Sequence, residues 1–258
     1  MIEVKDLRRT YRGRLGGRRT EALRGVSFEV NAGQRFGIVG ESGSGKSTLV
    51  RLLAALDKPT SGSIAFRGTS IEKLPERRLK FLRDDLQVVF QDPMSSLDPR
   101  MRIRDIVCEP LDRNHDRKER LRELLDAVGL PQESASRYPH QFSGGQRQRI
   151  SIARALAPYP KVLVADEPVS ALDVTVRAQI LNLLADLVER FDLTLVFVSH
   201  DLSVVRHVCD TVAVMRQGEI VELGSVEQVY QDPAHPYTQD LISAAPTLRG
   251  ALARFQEG

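Results

Sequence analysis

The run Gly40-Glu41-Ser42-Gly43-Ser44-Gly45-Lys46-Ser47 constrains this chain more than any other stretch. It matches G-x-x-x-x-G-K-[ST], and its flanks are those the pattern requires: residues 35–39 read as a buried strand and residues 48–56 as an amphipathic helix. Glycines at 40, 43 and 45 let the backbone curl with its N–H groups turned inward, and at a helix N-terminus such a curl cradles polyphosphate. Lys46 is suited to reach the outer phosphates and the Ser47 hydroxyl to ligate Mg2+, with Ser42, Ser44 and Thr48 completing the cradle.

The rest of the chain supplies a sheet for this unit. Short apolar runs at 86–90, 161–167 and 194–200 predict buried parallel strands, the last two ending in polar groups. Residues 2–11, 24–30 and 61–67 predict antiparallel outer strands, and 211–215 with 219–223 a hairpin. Between Met94 and Pro158 the pattern turns helical: 117–128 is a charged amphipathic helix ended by Gly129, and Gln141-Phe142-Ser143-Gly144-Gly145-Gln146 opens another over 147–157. A further helix is expected over 174–191. The expected fold is α/β, with an antiparallel subdomain and a helical subdomain inserted at about 92–158. Beyond 225 lies a tail with one helix near 236–244.

Composition excludes several alternatives. None of the apolar runs in the 258 residues approaches the ~18 a membrane span needs. Met1-Ile2-Glu3-Val4 lacks the features of a signal peptide, so a cytosolic location is expected. Cys108 and Cys209 show no metal-ligand spacing. A net charge of +3 is too small to imply nucleic-acid binding over the whole surface. The basicity is local: Arg8, Arg9, Arg12, Arg14, Arg18, Arg19 and Arg24 crowd one glycine-rich segment, read as a mobile solvated loop or, alternatively, a contact for phosphate or nucleic acid.

Chemistry-bearing groups fall at the C-terminal ends of the expected parallel strands, where open α/β sheets bind ligands. They are the phosphate loop, Gln91, Asp166-Glu167 and His200. Asp166 is suited to hold Mg2+ and Glu167 to act as general base on a water, while Gln91 and His200 orient water and γ-phosphate. Such a site would hydrolyse a phosphoanhydride. Ser143-Gly144-Gly145-Gln146 makes a second helix N-terminus that can face an anion.

This order of motifs resembles the ATP-binding cassette (ABC) ATPases over roughly residues 1–225. Gly40–Ser47 is similar to their Walker A motif, Gln91 to the Q-loop, Phe142–Gln146 to the signature, Val162–Asp166 to Walker B, Ser170-Ala171-Leu172-Asp173 to the D-loop and His200 to the switch histidine. Phe142 stands where leucine is usual and Val169 where threonine is common. The resemblance implies a RecA-like P-loop core, ATP and Mg2+ as ligands, Gln91 among the groups around Mg2+, and Tyr11 stacked on adenine. It also implies a head-to-tail dimer with a like or unlike ATPase, in which Ser143, Gly144, Gly145 and Gln146 cap ATP bound to the partner's Walker A.

Within the family, residues 91–100 and His235-Pro236-Tyr237-Thr238 resemble the ATPases of peptide and nickel importers. That implies two transmembrane permease subunits, an extracytoplasmic solute-binding protein, and a peripheral place on the cytoplasmic face of the membrane. Residues 226–258 would be the extension of that type. Met94, Leu97, Met101, Ile103, Ile106 and Val107 are expected to contribute to a groove for a permease helix, part of the set being core. The second reading, an ABC ATPase serving nucleic acid in repair or translation, lacks the coiled-coil insertion or zinc cysteines usual there, so no nucleic-acid partner is expected.

Overall fold

The computed structural model describes residues 1–12, 19–111 and 116–244. Strands β1 (Ile2–Tyr11) and β2 (Thr20–Val30) pair antiparallel, Ile2 opposite Val30. β3 (Arg35–Val39) leads through the glycine loop into α1 (Lys46–Leu53). β4 (Ser61–Phe66) and β5 (Thr69–Ser70) complete a 4-stranded antiparallel sheet in the order β2-β1-β4-β5. The short α2 (Lys80–Asp85) then precedes β6 (Leu86–Val89).

Helices follow: α3 (Pro93–Ser96), α4 (Ile103–Val107), α5 (Arg117–Ala127) and α6 (Gly144–Leu156). The last starts earlier than its apolar pattern indicates, because Ser143 caps it and both glycines become helical. β7 (Val162–Asp166), α7 (Val174–Arg190), β8 (Thr194–Ser199), α8 (Leu202–Val208), β9 (Thr211–Arg216) and β10 (Glu219–Ser225) complete a 6-stranded sheet in the order β10-β9-β3-β8-β7-β6. Its strands run parallel except β10, which pairs antiparallel with β9. The chain then forms α9 (Val226–Gln231), which the turn-rich tail conceals, and α10 (Pro236–Ala244), where the sequence places it.

The larger sheet separates two cores, and the period of two along its strands sorts side chains between them. Val162, Val164, Val196 and Val198 join the core shared with α1 and the antiparallel sheet. Leu163, Ala165, Leu195 and Phe197 join the core shared with the helices. Burial on both faces explains why β7 and β8 read as continuous apolar runs. At the far end of α6, the buried Arg120 donates to the carbonyls of Leu156 and Ala157, backbone oxygens beyond the reach of the helix's own ladder.

One expectation changes. Leu97, Ile103, Ile106 and Val107 are buried, Met101 is half-buried against the same core, and only Met94 of that set is exposed, at 43%. α4 is 5 residues long, so almost its whole apolar content is needed to anchor it. The Arg/Gly loop at 13–18 and the tail beyond 244 lie outside the described residues. No described helix is long and apolar enough to cross a membrane.

Candidate active site

The loop between β3 and α1 bounds a cavity of about 640 Å3. Glu41, Ser42, Gly43, Gly45, Lys46, Ser47 and Thr48 line it from the loop and helix, Gln91 from the end of β6, Glu167 from the end of β7 and His200 from the end of β8. Sheet order explains the meeting: β3, β8, β7 and β6 are successive neighbours, so their C-terminal ends form one edge. Gly45 has φ +108°, and a Cβ there would meet the Ala22 carbonyl oxygen at 2.5 Å, so both conformation and space require glycine.

Lys46 is 5% exposed, and its Nζ donates to the carbonyls of Gly40 at 2.6 Å and Glu41 at 2.8 Å. Burial lowers its pKa, opposed by the charges of Glu167, Asp166 and Glu41. Nζ lies 3.9 Å from Glu167 Oε1. Glu167 also accepts from His200, whose Nδ1 is 3.2 Å from Oε2. Since an ionised carboxylate only accepts, this contact assigns the proton to Nδ1 and leaves Nε2 for another partner.

Adjacent acids diverge because the backbone turns between them. Asp166 ends β7 in strand geometry, whereas Glu167 has φ +47°, a conformation uncommon for a non-glycine residue. Its N–H donates to Val198 O, and its carbonyl accepts from both the N–H and the Oγ of Ser170. Asp166 shares the parity of Val162 and Val164 and is directed to the α1 side. It is 9% exposed, its Oδ1 has no hydrogen-bond partner among the described residues, and its pKa is pushed up to about 6 by burial and by Glu167.

Other residues expected at the site stand elsewhere. Ser44 is buried behind the loop, and its carbonyl accepts from Gly218. Tyr11 does not line the cavity; its hydroxyl donates to Asp57 at 2.8 Å and the Arg9 guanidinium lies 4.5 Å from its ring centre. Thr20, Glu21 and Ala22 line the cavity instead. Sequence reasoning started that strand at Arg24, although the extended pattern of β2 begins at Thr20. Ser143, Gly144, Gly145 and Gln146 are not in the cavity lining. Ser143 Oγ accepts from Gln146 N–H at 3.3 Å and Gln146 Oε1 from Ser143 N–H at 3.0 Å, a reciprocal capping box.

The profile described as ABC transporter matches residues 23–170, the stretch that holds the glycine loop, Gln91, the Ser143–Gln146 cap and both acids. The chain belongs to the ABC transporter family. A second profile, described as the oligopeptide/dipeptide transporter C-terminal region, matches residues 221–257. The oligopeptide transport ATP-binding protein AppF of Bacillus subtilis is 48% identical, over 96% of this chain and 79% of the relative. The di/tripeptide transport ATP-binding protein DppF of Pseudomonas aeruginosa is also 48% identical, over 96% of this chain and 80% of its own. Among solved structures, a dimeric post-hydrolysis state of the ATP-binding cassette MJ0796 bound to ADP and Pi is similar with TM-score 0.79 and 34% identity, covering 88% of this chain and 99% of that one. This ABC-family chain is an ATPase.

Proposed function

We propose that this chain is the ATP-hydrolysing subunit of an ABC importer that takes up short peptides across the cytoplasmic membrane, where it sits peripherally on the cytoplasmic face. The match of residues 221–257 to the peptide-transporter C-terminal region carries this reading beyond ATPase activity, which the cassette alone supports. Nickel, the other solute the sequence resemblance implies, appears in none of the relatives' names quoted above.

In this reading Glu167 accepts a proton from the water that adds to the γ-phosphorus. The bond to the β–γ bridging oxygen breaks, and ADP and phosphate leave. His200 donates through Nδ1 to Glu167 and so holds the base in place for the water. Lys46 keeps two of its three Nζ donors on the loop carbonyls and has the third for a phosphate oxygen. The residues fit Mg2+: Asp166 presents a buried, unpartnered carboxylate oxygen, as an acceptor reserved for a cation would, and Ser47 lies in the cavity. Mg2+, with Ser47, Asp166 and Gln91 around it, would supply neutralisation of phosphate charge.

The signature residues sit apart from the cavity, which favours their use in trans on a second ABC ATPase subunit, like or unlike, packed head to tail. Residues 1–225 then act as the cassette, with 92–158 as its helical part and 226–258 as its extension. A groove of about 400 Å3 is suited to a permease helix; Leu56, Leu82, Val88, Phe90 and Pro110 line it, with the Arg154–Glu109 pair at its rim. Leu56 is 48% exposed there. Phe90 lines this groove and Gln91 the nucleotide cavity, so consecutive residues face the two sites and motion at one is felt at the other. Two such permease subunits and a solute-binding protein would complete the importer.

Uptake of labelled di- and oligopeptides, and separately of nickel, in cells lacking the gene tests the solute. Peptide uptake should fall and return with the gene; unchanged peptide uptake would refute the assignment. Leu56→Asp should bind ATP normally and fail to co-purify with the permeases, and continued tight association would remove the groove from the mechanism.

A further inference from the structure

The C-terminal extension reaches the phosphate loop. Tyr237, 4% exposed at the start of α10, takes a hydrogen bond on its hydroxyl from the Glu41 backbone N–H at 3.0 Å, a contact spanning 196 residues of sequence. Glu41 N–H and Gly40 C=O belong to one peptide unit, and in a trans peptide they point in opposite directions. The carbonyl end accepts from Lys46 Nζ at 2.6 Å. Lys46 and Tyr237 thus hold the same peptide plane from its two ends.

Contacts on the preceding turn, the backbone and the ring hold Tyr237 in place. Glu222 on β10 accepts the N–H groups of Ala234 and His235 at 2.9 and 3.1 Å, anchoring the turn that enters α10. His235 Nδ1 accepts the N–H of Tyr237 at 3.1 Å. The Arg216 guanidinium lies 4.8 Å from the centre of the tyrosine ring. The preceding residue, Met215, leaves no room at Gly40, where a Cβ would come within 2.2 Å of its carbonyl oxygen. The loop is therefore backed by β9 and by the extension.

We propose that Tyr237 is a positioning residue for nucleotide binding. It fixes the Gly40–Glu41 peptide, keeps the Gly40 carbonyl directed at Lys46, and so presets the lysine for phosphate. The ligand is the polyphosphate of ATP, and in that respect the inference rests on the ATPase reading given above. A consequence is that the peptide-transporter extension adjusts the affinity of the cassette while contributing no group to the cavity lining.

Tyr237→Phe in the full chain retains the ring and its packing and removes only the hydroxyl. Losing one net hydrogen bond to the loop should raise the Kd for Mg-ATP and Mg-ADP and the KM for ATP by about three- to tenfold, with kcat within about twofold of wild type. The nucleotide-free Tm should fall by no more than about 2–4 °C, the cost of one net hydrogen bond with the apolar burial unchanged. Unaltered nucleotide affinity would overturn the proposal. So would a loss of affinity matched by a large fall in the nucleotide-free Tm, which would make the hydroxyl a packing element. A wild-type chain that fails to bind Mg-ATP would instead refute the ATPase reading, which separates the two failures.

Discussion

Two helix N-termini in this molecule carry glycine and can face an anion, yet the fold treats them oppositely. At α1 the loop is enclosed: Lys46 and Ser44 are buried, Gly45 is pressed on Ala22, and the orphan N–H groups open into a cavity shared with Glu167, Gln91 and His200. At α6 the residues Ser143, Gly144 and Gln146 are exposed, and Ser143 and Gln146 satisfy each other. The first end is a nearly complete site within one chain. The second is exposed and self-capped, apart from the cavity. A helix N-terminus thus supplies an anion preference in both places, and what surrounds it decides whether chemistry can follow.

Substitutions can break this contrast. Glu167→Gln should lower turnover by about 10²–10⁴-fold while leaving Mg-ATP affinity in place, measured as kcat beside equilibrium binding. Near-normal turnover would take the base away from the enclosed end. Gly144→Asp should reduce turnover by about 10²-fold or more, because a carboxylate would face the partner's γ-phosphate and like charges brought together cost several kcal/mol. The monomer has room for the change, its nearest atom to an added Cβ being Leu172 Cδ2 at 3.6 Å. Binding of ATP by the isolated monomer should therefore be spared, and wild-type hydrolysis would refute use of the signature in trans.

Smaller effects sharpen the same comparison. Lys46→Ala should weaken ATP binding by about 10- to 100-fold, the range for a lost hydrogen bond to a charged group, read by calorimetry on the monomer. If Lys46→Ala and Gly144→Asp weakened monomer binding equally, the two ends would not differ as described. Ser143→Ala should cost about 1 kcal/mol through loss of the cap, a fall in Tm of about 2–4 °C, with monomer affinity for ATP unchanged. An unaltered Tm would mean that the capping box contributes nothing to holding α6 open for a partner.

The chemistry-bearing residues were legible because their signals are local. Glycine spacing before Lys46 reports a backbone curl, and apolar runs ending in Asp166-Glu167 and Ser199-His200 report strands delivering polar groups at their ends. The helix expected near 236–244 is present at those bounds. Faces of short elements were not legible: a helix of 5 residues such as α4 has too few turns for periodicity to separate Ile103 from an exposed neighbour. The backbone turn at Glu167 was also invisible, since positive φ in a residue other than glycine is imposed by its surroundings, here Val198 and Ser170.

By itself the sequence determined which segments form strand, helix and glycine loop and which polar groups stand at their ends, because helix, strand and turn preferences act over a few residues. Which of those groups meet was decided by the tertiary structure. Strand order β3-β8-β7-β6 places His200 and Glu167 3.2 Å apart, while the packing of the antiparallel sheet leaves Tyr11 bound to Asp57 outside the cavity and brings Thr20–Ala22 into it. The bond from Glu41 to Tyr237 belongs wholly to this second category. No local pattern encodes a contact across so long a chain; it exists because β9 and β10 pack beside the loop strand and carry the extension back to it.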